Sequence, residues 1–168
     1  MPEKNSHCSY CGTVFPPAAP WPRCCNACGG RSYLNPLPVV VAMVPMGSGL
    51  VGVRRNIEPR KGTLTLPGGY LDCGETWQQG ASRELYEETG IHVLATDFML
   101  YDVANGLDDT LVILGLAPPQ PIDRLAPFSS DETQEVVLIA QPLELGFPLH
   151  TMVVRRYFEG LAGGAARG

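Results

Sequence analysis

The feature that most constrains this chain is the stretch from Gly69 to Ile91, because it predicts a helix with charges at fixed positions. Thr76 followed three residues later by Gln79 is a capping-box pattern that begins a helix, and Gly90 is a typical C-terminal stop. Three glutamates at i, i+3 and i+4 share one face of this helix, since successive residues turn by about 100°. They are Glu84, Glu87 and Glu88.

These glutamates repel one another, by about 0.2–0.5 kcal/mol for each like pair on an exposed helix. Arg83 can neutralise Glu87 one turn away, but it cannot neutralise all three carboxylates. A hard divalent cation such as Mg²⁺ would neutralise the rest, because it prefers carboxylate and phosphate oxygens. The alternative is a solvated acidic face with no ligand. Beside the glutamates, an apolar stripe predicts that the helix packs on a sheet: Trp77, Ala81 and Leu85.

The same stretch matches a known motif at every defining position. The pattern is G-x5-E-x7-R-E-U-x-E-E-x-G-U, with U apolar, and it is carried by Gly69, Glu75, Arg83, Glu84, Leu85, Glu87, Glu88, Gly90 and Ile91. The chain therefore resembles a Nudix hydrolase, whose defining motif is the Nudix box. The approach to the box, residues 62–69, is similar to the family's G-x-W-x-L-P-G-G, with Leu64 in place of Trp. The complete box favours a metal site over a solvated face.

Five of the six cysteines lie near the N-terminus, and four of them form a second pattern. Two C-x2-C-G knuckles, separated by 13 residues, supply the four thiolates of a closed tetrahedral zinc site: Cys8, Cys11, Cys25 and Cys28. With all four positions filled by protein, such a zinc is structural. Cys24 offers a rival register with Cys28, and two disulfides are a further alternative. We prefer Cys25 because it repeats the first knuckle. The segment resembles the zinc ribbon of one Nudix branch.

Composition and charge limit the classes of partner that this chain can bind. The 168 residues allow one ordinary domain and a small appendage, and 45% hydrophobic content is enough for a core. A net charge of −5 without a basic block argues against nucleic acid. No apolar run reaches transmembrane length, and the first residues lack a signal peptide's apolar core. These features predict a cytoplasmic chain with no membrane partner, in which cysteines bind metal or stay free.

Apolar segments on both sides of the box predict strands. The run from Pro38 to Val44 predicts a buried strand, and Leu50–Arg54, after a Gly-Ser-Gly turn, predicts its hairpin partner. One long or two bent strands are expected at 91–103, further strands at 109–116 and 136–140, and a closing helix at 149–161. The loop 118–130 contains four prolines and is long enough to line one end of a substrate pocket. The three histidines show no ligand spacing.

The resemblance implies an α/β fold: a Nudix α/β/α sandwich with a mixed sheet at 37–168, preceded by a zinc ribbon at 1–36. It implies that Glu84, Glu87, Glu88 and the carbonyl of Gly68 surround catalytic Mg²⁺ or Mn²⁺. Arg83 would hold the glutamates, and Glu75 would support them from the loop. In relatives a further glutamate before a late strand orients or deprotonates water. Glu132 and Glu135 both fit that position, and Glu135 is slightly preferred.

The reaction implied is hydrolysis of the diphosphate in a nucleoside diphosphate linked to another group, such as ADP-ribose, FAD or NAD(H). Either Arg54 or Arg55, at a strand end, would bind this small-molecule substrate. The zinc-ribbon branch, with Asn56-Ile57-Glu58-Pro59 after the basic pair, resembles such pyrophosphatases. The alternatives are a (d)NTP pyrophosphatase, a nucleotide-sensing module without turnover, and an RNA-end hydrolase. The resemblance leaves a homodimer open.

Overall fold

A computed structural model describes residues 4–165, and the chain divides into two compact units, Met1–Pro36 and Leu37–Gly168. In the first unit, two short strands pair antiparallel, β1 (Arg23–Cys24) with β2 (Arg31–Ser32). Among the residues of this unit that the structure describes, the buried apolar cluster consists of Cys8, Phe15 and Cys25. A core this small usually needs a metal or disulfides for stability.

The second unit contains eight strands and two α-helices within the described residues. They are β3 (Leu37–Met43), β4 (Pro45–Met46), β5 (Gly49–Arg55), β6 (Leu64–Thr65), β7 (Gly68–Tyr70), α1 (Trp77–Thr89), β8 (Met99–Asn105), β9 (Thr110–Leu116), β10 (Thr133–Ile139) and α2 (Pro148–Ala165). Short 3-10 helices lie at Ala95–Asp97 and Ile122–Arg124.

Strands β3 to β10 form two sheets. The first has the order β7-β3-β9-β8, in which β3 and β9 run parallel and the other pairs antiparallel. The second has the order β10-β5-β4, with β6 also paired to β5, and all its pairs are antiparallel. The first sheet is the mixed sheet that the sequence predicted, and this prediction is confirmed.

Strand β3 lies at the centre of the unit because both of its faces are buried. Val40 and Ala42 pack in one cluster with Leu85 of α1, whereas Val41 and Met43 pack in another that contains two residues of α2: Val153 and Val154. Side chains alternate along a strand, so a continuous apolar run suits a strand that is covered on both sides. The arrangement of helices around a sheet, predicted from the sequence, is therefore confirmed.

One predicted pairing is wrong. The partner of β5 in the hairpin is the short strand β4, not β3. After Met43 the chain leaves the first sheet and enters the second, where Val51 donates its N–H to the carbonyl of Val44 at 3.0 Å. The sequence does not reveal this change of sheet, because residues 38–44 and 50–53 are apolar throughout.

The segment after α1 is also less regular than predicted. Residues 91–98 contain a 3-10 helix rather than a strand, and only β8 is a strand there. Ile91, Val93 and Phe98 are nevertheless buried in the cluster beneath α1. The alternating apolar residues of this segment therefore reflect packing against α1, not pairing with a neighbouring strand. The strands expected at 109–116 and 136–140 and the closing helix are confirmed. Among residues 4–165, neither helix is long and apolar enough to cross a membrane.

Candidate active site

Helix α1 begins and ends as the sequence predicts. Thr76 accepts the N–H of Gln79 at 3.2 Å, and its own N–H donates to the side-chain oxygen of Gln79 at 2.7 Å. Gly90 adopts the left-handed conformation, with φ of 71°, and donates its N–H to Tyr86. These caps set the two ends of the helix, and its acidic face meets β7, where Glu88 accepts the N–H of Gly68.

Arg83 connects the carboxylates of the box. Its guanidinium donates to both oxygens of Glu75, at 2.6 and 3.2 Å, to Glu84 at 2.7 Å and to Glu87 at 3.1 Å. A further bond, of 3.0 Å, reaches the carbonyl of Tyr70. The hydrogen bond from Arg83 lowers the pKa of Glu75 and keeps it ionised. Arg83 thus joins the loop before the helix to the helix itself.

Glu84 and Glu88 are the buried carboxylates, with 8% and 4% of their surface exposed. Burial raises the pKa of both, that of Glu88 to about 8. The N–H of Gly68 donates to Glu88 at 2.9 Å, whereas Arg83 contacts Glu84 but not Glu88. A Cβ on Gly69 would lie 2.5 Å from Glu84 Oε1, so the first glycine of the box leaves room for this carboxylate.

The third glutamate is placed differently. Glu87 keeps 56% of its side chain exposed and is held by Arg83 at the helix surface. Among the described residues, no three carboxylate groups lie as close together as the four cysteine thiols do. The structure therefore brings Glu84 and Glu88 together in the site and leaves Glu87 at its edge.

A cavity of about 730 Å³ opens in front of Glu84 and Glu88. Aliphatic side chains of β3 and β9 and the β8–β9 loop, residues 105–108, form much of its wall. The proline-rich loop was expected to line this cavity, and that expectation is wrong. Its residues 125–129 instead line a separate hollow of about 540 Å³ beside β10. The hairpin loop after β8 takes the expected place.

The two arginines at the end of β5 have different surroundings. Arg54 pairs with Glu135 on β10 at 2.7 Å, and neither side chain lines the cavity. Arg55 and Glu132 do line it, and the charge of Glu132 raises the pKa of both Glu84 and Glu88. The structure thus brings Arg55 and Glu132 to the box glutamates, and it does not bring Arg54 or Glu135 there.

Glu132 is held in place through its backbone. Its carbonyl accepts the N–H of Asn56 at 2.7 Å, and the Asn56 side chain donates to Ser130 at 3.3 Å. A bulge in β10 then sets Glu135 opposite Arg54. In an unbulged register Glu135 would face Val53, so the bulge is what sets this glutamate beside Arg54.

The donor set at Glu84 and Glu88 fits a hard divalent cation. Burial, and then like charges, raises the pKa of each of these carboxyls, and among residues 4–165 no cationic side chain forms an ion pair with Glu88. Carboxylate oxygens of this kind are the ligands that Mg²⁺ prefers. A cation there would remove the repulsion that Arg83 leaves uncompensated.

The cysteine knuckles form a second candidate site, within the first unit. The sulfurs of Cys8, Cys11, Cys25 and Cys28 all lie within 4.8 Å of one another. The distances from Cys8 to Cys28 and from Cys11 to Cys25 are 3.7 and 3.6 Å. Four thiolates at about 2.3 Å around one Zn²⁺ would be about 3.8 Å apart, so the cluster has the size of a zinc site. Cys24 lies outside it, and none of the cysteines is in a disulfide.

Comparison with known proteins agrees with the geometry of the second unit. Residues 36–157 match the NUDIX domain family, a span that contains α1 and the cavity. This chain belongs to the Nudix family. Over 90 residues it is 30% identical to the NAD-capped RNA hydrolase NudC of Shigella flexneri, which covers 53% of this chain. The match spans only 35% of that protein, about a third of its length.

Solved structures show the same Nudix fold. A NUDIX hydrolase from Nitrosomonas europaea matches with a TM-score of 0.71 and 24% identity, covering 95% of this chain and 93% of that one. A bifunctional NMN adenylyltransferase/ADP ribose pyrophosphatase from Francisella tularensis, complexed with AMP and manganese, matches with a TM-score of 0.55 and 28% identity. That match covers 62% of this chain and 34% of the Francisella chain.

Sequence reasoning missed several residues of this Nudix cavity, and the one with a buried titratable side chain is His150. His150, in the first turn of α2, lines the cavity and is 8% exposed. Its ring accepts the N–H of Leu66 at 3.2 Å. A single histidine near the start of a predicted helix has no ligand spacing, so no sequence pattern marks His150 as a cavity residue. The hairpin residues 105–108 were missed for the same reason.

The buried charge of Glu88 predicts a stabilising substitution. Its folded pKa, about 8, lies above an unfolded value near 4.3, so the metal-free folded protein binds the extra proton and loses stability as pH rises between these values. Glu88→Gln, which can still accept from Gly68, should raise Tm more at pH 8 than at pH 5. A gain of about 2–4 °C accompanies each kcal/mol.

The measurement is thermal unfolding in buffer without added divalent cation. Glu159→Gln, on the exposed surface of α2, is the matched control and should leave Tm unchanged. A Glu88→Gln protein that is no more stable at pH 8 than the wild type would contradict the uncompensated burial of this carboxyl.

Proposed function

We propose that this chain is a metal-dependent Nudix pyrophosphohydrolase that cleaves the diphosphate of a nucleoside diphosphate linked to another group. The observation that carries this proposal is the buried pair Glu84 and Glu88 at the wall of a cavity that also contains Arg55. Substrates of the ADP-ribose, FAD or NAD(H) type have a bulky group on each side of the diphosphate. The cavity volume of about 730 Å³ suits a ligand of that size.

Glu84 and Glu88 would hold Mg²⁺ or Mn²⁺, with Glu87 and the carbonyl of Gly68 as further ligands. A bound divalent cation neutralises phosphate charge and activates water. Arg83 positions Glu84, because its guanidinium also grips Glu75 and so fixes the side chain against the loop. Held in this way, the Glu84 carboxylate should stay directed at the cation site.

Glu132 is the best-placed group to orient the attacking water or accept its proton. Its charge acts on Glu84 and Glu88, and the bond from Asn56 to its carbonyl fixes its backbone. A carboxylate at the edge of the site can accept a proton from an attacking water and so act as a base. We therefore assign to Glu132 the role for which the sequence slightly preferred Glu135.

Arg55 is proposed to bind the diphosphate. Among residues 4–165 no carboxylate pairs with its guanidinium, whereas Arg54 is paired with Glu135. Its Nε donates to the carbonyl of Pro59 at 2.9 Å, which leaves the two terminal nitrogens for substrate oxygens. A guanidinium binds a phosphate through two parallel hydrogen bonds.

The names of similar proteins support a diphosphate bridged between two groups. One of them is an ADP ribose pyrophosphatase and another an NAD-capped RNA hydrolase, and both names specify such a bridge. The net charge of −5 favours a free dinucleotide over an RNA end. A (d)NTP substrate and a nucleotide-sensing module without turnover are the remaining alternatives, and the same assay separates them.

The first unit is proposed to be a structural zinc ribbon, residues 1–36, attached to a catalytic domain at 37–168. The clustering of the four sulfurs within 4.8 Å of one another supports zinc, and all four ligands would come from protein. Free thiols fit the cytoplasmic location that we also propose. A homodimer stays a prediction.

The substrate assignment predicts the outcome of a comparative assay. With Mg²⁺ or Mn²⁺, kcat/KM should be higher for ADP-ribose, FAD or NADH than for any of the eight common (d)NTPs, with products identified by mass spectrometry. NAD-capped RNA belongs in the same panel. A preference of more than about tenfold for a triphosphate, or about 1.4 kcal/mol in transition-state binding, would contradict the assignment.

The assignment of Glu132 predicts a contrast between two conservative variants. Glu132→Gln should lower kcat by about 100-fold or more, the usual contribution of a general base. Glu135→Gln, a matched control on the same strand end, should stay within about threefold because it loses only a half-exposed ion pair. A larger loss in Glu135→Gln would restore the interpretation that the sequence preferred.

The zinc assignment predicts a metal content. Purified protein should contain about one zinc per chain, as four protein thiolates complete one tetrahedral site. Cys8→Ser should release it, whereas Cys24→Ser, at a cysteine outside the cluster, should retain it. Elemental analysis measures both. Absence of zinc together with a disulfide between Cys8 and Cys28 would contradict the ribbon.

A further inference from the structure

The first turn of α2 presents a polar atom to the cavity that none of the proposed chemistry uses. Nδ1 of the His150 ring accepts the N–H of Leu66, so the ring carries its proton on Nε2. Burial, and then the charge of Arg55, lowers the pKa of His150 to about 4, which keeps the ring neutral. Nε2–H is therefore a fixed hydrogen-bond donor.

This donor has no partner among residues 4–165. Within that range, the one buried side-chain atom that lacks both a hydrogen bond and contact with solvent is Thr133 Oγ1. His150 Nε2 also has no hydrogen bond, but it keeps some contact with solvent, although more than nine-tenths of the residue is buried. The atom is therefore reachable, and the space beside His150 is the cavity. A ligand in the cavity can meet this donor.

Positive groups gather at the same turn. The Arg55 and Arg60 guanidiniums lie 5.3 and 5.6 Å from the centre of the Phe147 ring, and that ring lies 5.2 Å from the ring of His150. The first N–H groups of a helix have no partner within the helix and favour an anion. Nothing on α2 beside His150 offsets these donors, since Pro148, Leu149 and Thr151 carry no charge.

The turn is also close to the metal-binding carboxylates. His150 accepts from Leu66, and Glu88 accepts from Gly68, two residues further along the same segment. Two residues of chain span at most about 7 Å, so the two N–H groups lie within that distance. Arg55, Glu88 and His150 all line the same cavity, so the arginine lies on the wall that the other two share.

The position of this turn is fixed. The N–H of Gly146 donates to the carbonyl of Leu64 at 2.7 Å, and the N–H of Leu145 donates to the Thr151 hydroxyl at 2.9 Å. Together with the bond from Leu66 to His150, these contacts tie the start of α2 to β6 and the residue after it. A rigid donor loses little entropy when it binds, so it is suited to selecting a ligand.

We propose that His150 and Arg55, at the first turn of α2, form a phosphate-binding subsite that holds the substrate phosphate lying away from Glu84 and Glu88. His150 would donate through Nε2–H and Arg55 through its terminal nitrogens. This inference rests on the proposed function, since it assigns the second phosphate of the same diphosphate. It makes His150 a substrate-binding residue, although no spacing pattern in the sequence singles this histidine out.

Two substitutions separate this role from a purely structural one. In His150→Asn the side-chain oxygen takes the place of Nδ1 and can accept from Leu66, but no donor reaches the place of Nε2. In His150→Gln the side-chain nitrogen reaches the place of Nε2, while the bond from Leu66 is lost. The Gln variant should therefore keep substrate binding and lose stability, whereas the Asn variant should keep stability and lose substrate binding.

The probes are α,β-methylene-ADP, whose bridge is not hydrolysed, and methylenediphosphonate, the same bridge without a nucleoside, each titrated by calorimetry with Mg²⁺. His150→Asn should weaken both by about tenfold or more, the effect of one hydrogen bond to a charged group, with Tm nearly unchanged. His150→Gln should lower Tm and stay within about threefold of the wild-type Kd, since its donor remains.

Equal binding by wild type and His150→Asn would overturn the subsite, and so would binding of neither probe by the wild type. A loss confined to α,β-methylene-ADP would show that His150 contacts the nucleoside, which also overturns it. Wild-type protein that binds both probes as expected but hydrolyses no dinucleotide would disprove the proposed function and leave the subsite standing. If the wild type hydrolyses ADP-ribose and His150→Asn has an unaltered kcat/KM, the proposed function stands and the subsite is disproved.

Discussion

The guanidinium of Arg83 is the interaction on which the site depends. It donates to Glu75 in the loop and to Glu84 and Glu87 on the helix, and so it holds three carboxylates that would otherwise repel one another. An arginine can do this because its planar group carries five donors and stays charged at any ordinary pH. Removal of this one group would leave Glu75 and Glu84, both largely buried, without compensation.

Arg83 does not compensate the charge of every carboxylate, and the uncompensated charge is what favours binding of a cation. Glu88 is the most buried of the box glutamates, and its hydrogen bond from Gly68 is too little to keep its pKa low. A folded protein that keeps such a carboxyl beside Glu84 stores an unfavourable interaction, which a cation would relieve. The same logic applies across the cavity, where no carboxylate among residues 4–165 forms an ion pair with Arg55.

The sequence predicted the parts of this molecule that depend on local rules. The ends of α1 and the four clustered cysteines follow from spacing alone, and the structure contains both. It could not predict the bulge in β10 that turns Glu135 toward Arg54, nor the change of sheet after Met43. His150 acquires its surroundings from Leu66, 84 residues away in sequence, so no local pattern marks it.

The most direct test is a crystal structure of the whole chain with Mn²⁺ and a non-hydrolysable ADP-ribose analogue, in which anomalous scattering locates the metal. Manganese bound to the carboxylates of Glu84 and Glu88, with the analogue's diphosphate between the metal and Arg55, is the expected result. Manganese bound elsewhere, or an analogue seated outside the cavity while Arg83 still holds Glu84, would contradict a metal-dependent diphosphate site on this face of α1.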